Sequence, residues 1–177
     1  MGYIVLGFSI GSPIALVGAL LHVLNHAVMK SCLFLVAGGV RWRTGFSSVA
    51  SFVGMGRRMP LSMLAFAVAA VSMVGLPPTV GFFSKWYLLL GAFEARAWPG
   101  VAALVVSSGL SAVYFFRVLE RTFVVSDDRL VATESRELPA GMLGPVLVLA
   151  AAGLLLGLFQ QPLITHVIQR ALPATVS

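Results

Sequence analysis

The sequence predicts an all-α protein: a polytopic membrane helix bundle with about four transmembrane spans, one of them a broken helix. Three observations predict it. Hydrophobic residues make up 59% of the 177 and charged residues only 10%, against about 25% charged in an ordinary soluble domain. Mean hydropathy is +0.98. The charges are missing from long windows and gathered in short segments between them. A soluble globule of this length has too much surface per volume to hide so much apolar side chain. The composition therefore excludes a soluble enzyme, a disordered tail and a nucleic-acid-binding module. The net charge of +6 does not reverse this, because ten of the twelve basic residues are arginines and most lie between apolar runs. That is the charge pattern of an integral membrane protein. The single cysteine excludes a disulfide framework and a cysteine zinc site.

A helix needs about 20 mostly apolar residues to cross a bilayer core, and charge-free windows locate the candidates. The chain 1–177 reads as one membrane domain. Residues 1–10, MGYIVLGFSI, are apolar but too short to cross. They have no basic leader and no small-residue cleavage pattern, so they are not a signal peptide. They either lie at the membrane surface or form the end of a helix whose start is missing. Gly11, Ser12 and Pro13 separate them from a span over 12–40. Residues 60–94 are too long for a simple span, and their centre reads Gly75-Leu76-Pro77-Pro78-Thr79-Val80-Gly81. Two prolines remove two backbone donors and break a helix, and the residue before a proline avoids the α region. The spacing predicts half-helices over 60–75 and 82–94, joined by an extended piece. Two further spans follow, over 99–119 and 141–163.

Orientation follows from the arginines. Segment 41–58 carries Arg41, Arg43, Arg57 and Arg58, and segment 117–140 carries Arg117, Arg121, Arg129 and Arg136. These segments lie two spans apart, hence on one side, and a Lys/Arg excess marks the cytoplasmic side. The expected setting is a multi-pass protein of the cell's inner (plasma) membrane. Five of the six acids also fall in the second segment, and the sixth is Glu94, so no acid lies inside a span.

The only two lysines, Lys30 and Lys85, lie inside apolar runs. An ionisable group at that depth costs a few kcal/mol even on the lenient insertion scale of about 3 kcal/mol, so each is a functional candidate. The plain alternative is that each snorkels to an interface. His22, His26 and Lys30 recur at every fourth residue. This spacing puts all three on one helical stripe at intervals of about 6 Å. Asn25 lies beside it. Histidine titrates near neutral pH, so such a column suits proton hopping through linking waters. The alternative is two histidines that hydrogen-bond across a helix interface and hold a bundle together. A metal site is the weaker reading: no third ligand is visible, and Lys30 would repel the ion. Irregular backbone at membrane depth survives only when buried in protein or lining water, and transporters place broken helices at their ion sites. Lys85 is expected in the first turn of the second half-helix, where the positive end of the helix dipole opposes its charge. A kink used only for packing is the alternative.

The stretch HVLNHAVMKSCLFLVAGG at 22–39 resembles the HxxxHAxxKxxLFLxAG signature of antiporter-like membrane subunits. The stretch 59–95, with GLPPTVGFFSKWYLLLGAFEA, is similar to the broken helix that follows that signature, in wording closest to the D-type member of the Mrp antiporters. The family includes subunits of Mrp-type cation/proton antiporters, respiratory complex I and membrane-bound hydrogenases. The resemblance covers roughly 1–123; the last span is generic. It implies the latter part of the second of two inverted five-helix units. It implies that Lys85 is the terminal proton site, where some members carry glutamate. It implies that Lys30, His26 and His22 form the polar stripe leading to that site, and that Gly75, Pro77, Pro78 and Gly81 make the break. The first unit, with its own acid–lysine pair and broken helix, would lie outside this sequence.

The expected function is proton translocation within a multisubunit monovalent cation (Na+ or K+)/proton antiporter. The expected partners are other membrane subunits, the lipid bilayer, protons and monovalent cations. The first alternative is a proton-pumping subunit of an NADH:quinone oxidoreductase or membrane hydrogenase, with the energy supplied by electron transfer elsewhere. The chain has no haem, flavin or iron–sulfur motif, so no cofactor is expected and it would not handle electrons itself. The second alternative is a non-transporting, truncated remnant. Chemistry of its own is not expected: the buried histidines and lysines include no nucleophile–base pair. Ser84 and Lys85 are helix neighbours, and such neighbours do not face each other.

Overall fold

The computed structural model describes residues 1–45, 48–124 and 137–168. Arg129, Arg136 and the acids Asp127, Asp128 and Glu134 of the charged loop lie outside them. Everything described is helix, turn or short connection. The helices are α1 (Gly2–Ile10), α2 (Pro13–Thr44), α3 (Met55–Arg58), α4 (Pro60–Val74), α5 (Val80–Glu94), α6 (Trp98–Phe123), α7 (Ala140–Leu158) and α8 (Gln160–Leu163).

Local chemistry sets the ends. The Ser12 hydroxyl accepts a hydrogen bond from the Ala15 N–H, and Pro13 opens α2 at the position where a missing N–H costs nothing. The helix ends at Gly45, whose left-handed φ of 75° lets its N–H close on the Arg41 carbonyl. Prolines open α4 and α6 in the same way. Helix α7 stops at Leu158, short of the expected 163. Pro162 has no N–H to give the Leu158 carbonyl, so the ladder lapses there and resumes as α8 and a wide turn over Ile164–Ile168.

Helix α2 is the axis of the bundle. Ala15 meets Gly91 of α5, Gly18 meets the backbone of Leu88, and His22 meets Ser84. Farther along α2, Asn25 meets Ser72 of α4, and the Cys32 thiol reaches the Ala65 carbonyl. Both short helices therefore run antiparallel to α2 and in line with each other. At fifteen residues apiece each is about 22 Å long, too short to cross the ~30 Å core alone. End to end they have the length of one pass. Helices α2, α6 and α7 are each long and apolar enough to cross by themselves. Helix α7 also runs antiparallel to α2, with Val146 near Cys32 and Gly153 near Val28. Helix α6 runs antiparallel to α5, with Leu104 packed beside Leu88 and Ser108 beside Lys85.

The segment 1–10 is a bundle element. Gly7 sits against Leu88, Ala19 and Ala15, and Leu6 against Gly100. Small residues at these crossings let helices approach closely, which is how membrane helices gain contact where lipid offers no hydrophobic drive. The apolar interior falls mainly between α2, α4 and α7, around Met29, Val36, Met63, Phe66 and Val146. A second centre, with Leu88, Ala92 and Leu104, joins α1, α2, α5 and α6.

A carboxylate secures one end of the broken pass. Glu137 accepts hydrogen bonds from the Leu61 N–H at 2.9 Å and the Ser62 hydroxyl at 2.5 Å. It thereby supplies an anion to the positive end of α4. Arg43 donates to the Glu137 carbonyl at 2.6 Å, so the end of α2, the start of α4 and the approach to α7 are tied at one point.

Candidate functional site

The break occupies residues 75–79. Gly75 closes α4 with a φ of 88°, a left-handed value that glycine adopts without strain. Leu76 and Pro77-Pro78 leave the helix, the Thr79 hydroxyl donates to the Leu76 carbonyl at 2.7 Å, and α5 starts at Val80. Gly81 lies on the Ser72 carbonyl so closely that a β-carbon there would collide with it. Gly75, Pro77 and Pro78 thus lie in the break and Gly81 beyond it, in the first turn of α5, while Gly157 of α7 packs on the Pro78 carbonyl.

Lys85 reaches back across the break. Its Nζ donates to the Met73 and Val74 carbonyls at 3.0 Å each and to the Ser108 hydroxyl at 3.1 Å. The Tyr3 ring covers it at 5.1 Å. Two of these partners are the carbonyls that the end of α4 leaves unpaired. The location corrects one expectation. Helix α5 begins at Val80, so Lys85 stands in its second turn, and its ammonium rests on the negative end of the α4 dipole instead of opposing that of α5. The three acceptors match the three N–H donors of an ammonium, and none is a carboxylate. A cavity of about 250 Å³ adjoins Lys85, bounded by Gly75, Phe82, Trp86 and Ser108 among others.

The histidine stripe lies on α2 beside this centre. His22 is buried, and its Nδ1 is 2.9 Å from the Ser84 hydroxyl. Ser84 donates to the Gly81 carbonyl at 3.0 Å. That assignment makes Ser84 the acceptor from Nδ1–H and leaves Nε2 available to exchange a proton. The His26 ring lies 6.3 Å from that of His22. Lys30, two turns from His22, is half-buried over the Phe34 ring at 5.6 Å. Asn25, buried beside the stripe, accepts from Ser72 at 2.8 Å and so ties α2 to α4.

The structure brings His22 and His26 together and sets Lys85 on the neighbouring helix. Among the described residues no hydrogen bond joins His22 to Lys85, and none holds Lys30. The Tyr3 ring packs against both His22 and Lys85, its centre 5.1 Å from each, and lies edge-on to the imidazole. Ser84 and Lys85 point to different neighbours, which removes any dyad between them. Among the described residues no group of three His, Cys, Asp or Glu side chains gathers to hold a metal ion.

Sequence reasoning missed Tyr3, Ser72 and Ser108 and saw Ser84 only as a neighbour of Lys85. The available signal was a small polar residue recurring in apolar helices. Serine is too common there to single out one position, and Tyr3 lay in a segment too short to place.

This constellation, a broken helix with a lysine across its gap and a titratable stripe alongside, defines a class of membrane protein that comparison identifies. Residues 1–111 match the family described as NADH:quinone oxidoreductase/Mrp antiporter, transmembrane. The chain belongs to that family. It is 55% identical, over 98% of its length, to NADH-quinone oxidoreductase subunit N of Desulforudis audaxviator, of which it covers 37%. It is 28% identical to a Na(+)/H(+) antiporter subunit, the D-type one, of Alkalihalophilus pseudofirmus, over 97% of the chain and 34% of that protein. It superposes on a chain of respiratory complex I from Thermus thermophilus with a TM-score of 0.83 at 28% identity, covering 93% of this chain and 34% of that one. A chain of the Mrp complex from Dietzia sp. gives a TM-score of 0.81 at 24% identity, over 92% of this chain and 38% of that one, a likeness of fold. The chain thus spans between a third and two-fifths of the length of these relatives. It is a multi-pass membrane protein.

Proposed function

We propose that this chain carries one proton path of an antiporter-like subunit in a multisubunit membrane complex. The observation that carries the reading is Lys85, whose ammonium spans the gap between two half-helices and binds the open carbonyl end of the first. A lysine so placed gains or loses hydrogen-bond partners whenever the half-helices shift. Its charge state is thereby linked to the geometry of the break. His22, His26 and Lys30 form the stripe through which protons reach it, with water closing the intervals that side chains do not. All four residues lie within 1–111, the part matched by the family.

Two host complexes fit the family. A monovalent cation/proton antiporter is one. A redox-driven quinone oxidoreductase is the other, and 55% identity to a quinone oxidoreductase subunit, against 28% to an antiporter one, favours it. The partners are then the other membrane subunits of that complex, and the chain moves protons while electrons travel elsewhere. We further propose the inner (plasma) membrane as its location. The ends bearing Arg41, Arg43, Arg57, Arg58, Arg117 and Arg121 then face the cytoplasm, in line with the arginine bias.

The test replaces Lys85 by alanine in the complete subunit and measures proton uptake by sealed vesicles containing the assembled complex. Loss of uptake with normal assembly is expected; normal uptake would overturn the reading. A quinone-site inhibitor separates the hosts. It stops proton uptake in the redox-driven complex and leaves cation-driven exchange untouched in the antiporter.

A further inference from the structure

Proton release from Lys85 needs a neighbour able to take a proton and pass it on. Two of its three partners, the Met73 and Val74 carbonyls, accept hydrogen bonds but have no proton to hand forward. The third is the Ser108 hydroxyl, which accepts and donates. Ser108 lies 3.4 Å from the Tyr3 hydroxyl. Tyr3 donates to Ser107 at 2.7 Å. With its own proton committed to Ser107, the Tyr3 oxygen is left to accept from Ser108. The bonds Lys85 to Ser108, Ser108 to Tyr3 and Tyr3 to Ser107 therefore point the same way. Ser107 is exposed near the middle of α6.

Resting on the proposed function, we infer that Ser108, Tyr3 and Ser107 form a hydroxyl relay for the Lys85 proton, separate from the stripe of His22, His26 and Lys30. In the transfer an Nζ–H bond breaks and an O–H bond forms at Ser108. The original Ser108 proton passes to Tyr3, that of Tyr3 to Ser107, and that of Ser107 to water. Each hydroxyl finishes with one proton, the amine is neutral, and one proton has left. Rotation of the three hydroxyls restores the starting direction. The Tyr3 ring has a second task. It packs against both Lys85 and His22, its centre 5.1 Å from the Lys85 Nζ and 5.1 Å from the centre of the His22 ring. The arrangement gives the site an entry and an exit of different chemistry, imidazole on one side and hydroxyl on the other.

The test uses the complete subunit in its assembled complex, reconstituted in sealed vesicles. Tyr3→Phe keeps the ring and its packing and removes only the hydroxyl. Ser108→Ala removes the first acceptor, and Ser108→Thr keeps it. The relay predicts that Tyr3→Phe and Ser108→Ala each slow proton uptake by about tenfold, the effect of losing one well-placed hydrogen bond. It predicts that Ser108→Thr restores uptake, which a packing role would not require, because threonine is bulkier than alanine. Wild-type uptake in both Tyr3→Phe and Ser108→Ala, beside a Lys85→Ala variant that is blocked, would overturn the relay and leave the proposed function standing. Normal uptake in Lys85→Ala would overturn both. If Ser108→Ala fails to assemble, Tyr3→Phe decides alone.

Discussion

At the scale of single residues, polar atoms in this chain are placed by what they must be bonded to. A polar group buried in an apolar surrounding costs several kcal/mol when unpaired, on the order of 2–7 kcal/mol by reference state, and the buried hydroxyls of Ser62, Ser72, Thr79, Ser84 and Thr122 each have a partner. Ser84 holds His22, Ser72 holds Asn25, and Ser108 holds Lys85. The expected consequences differ. Ser72→Ala leaves the Asn25 oxygen unpaired in the core and lowers thermal stability by about 1–3 kcal/mol, read from the unfolding midpoint of the purified complex, with little change in proton uptake. Ser84→Ala frees the His22 ring from its anchor. The prediction there is slower proton uptake together with a midpoint lowered by a similar amount, about 1–3 kcal/mol, because the buried His22 Nδ1–H loses its partner. Equal effects of the two variants on uptake would contradict the separation of anchor from path. The sequence exposed the ionisable members of this group, because a lysine or histidine in an apolar run stands out. It hid the hydroxyls, because serine occurs in such helices with and without a role.

At the scale of elements, the break is built by short-range chemistry that the sequence states openly. Gly75, Pro77, Pro78 and Gly81 leave no other course for the backbone. What the sequence could not state was the phase of the second half. Helix α5 begins at Val80, two residues before the expected start, because Thr79 closes on the Leu76 carbonyl and the Phe82 N–H on the Thr79 carbonyl. Two residues were enough to move Lys85 from the first turn to the second and to bring its partner from the other half-helix. Gly81 fixes that phase. Gly81→Ala places a methyl against the Ser72 backbone, and overpacking of this kind costs about 1–3 kcal/mol. The expected result is a lower unfolding midpoint together with reduced uptake, since Ser72 belongs to α4 and the clash pries the halves apart. The other end of the pass depends on Glu137. Removing a capping side chain costs about 1 kcal/mol, so Glu137→Ala is predicted to lower the midpoint by that order while Lys85 keeps its carbonyl partners. A large loss of uptake at unchanged stability would show that Glu137 has a part in transport that capping does not explain.

At the scale of the whole molecule, α2 supports the site because it is long and carries small residues where α5 crosses it. Ala15, Gly18 and Gly91 let the two helices close until His22 reaches Ser84. Gly18→Leu would wedge them apart and is predicted to separate the histidine stripe from the break, with loss of both assembly and uptake. The all-helical membrane class and the family were legible from composition and two motifs. The place of residues 1–10 was not. Nine helical residues with no charge carry no orientation signal, and only packing against Leu88 and Gly100 sets them beside Lys85. The site was therefore half legible: its ionisable groups from the sequence, its hydroxyls and its Tyr3 cover from the fold.

The central claim is that Lys85 exchanges a proton at the break and does more than hold a charge there. Lys85→Arg tests it most directly. Arginine keeps the cation and has donors for the α4 carbonyls, and it does not deprotonate in proteins. Proton uptake by vesicles containing the assembled Lys85→Arg complex is predicted to fall to the level of Lys85→Ala. Uptake at the wild-type rate would contradict the account, because a fixed charge would then suffice.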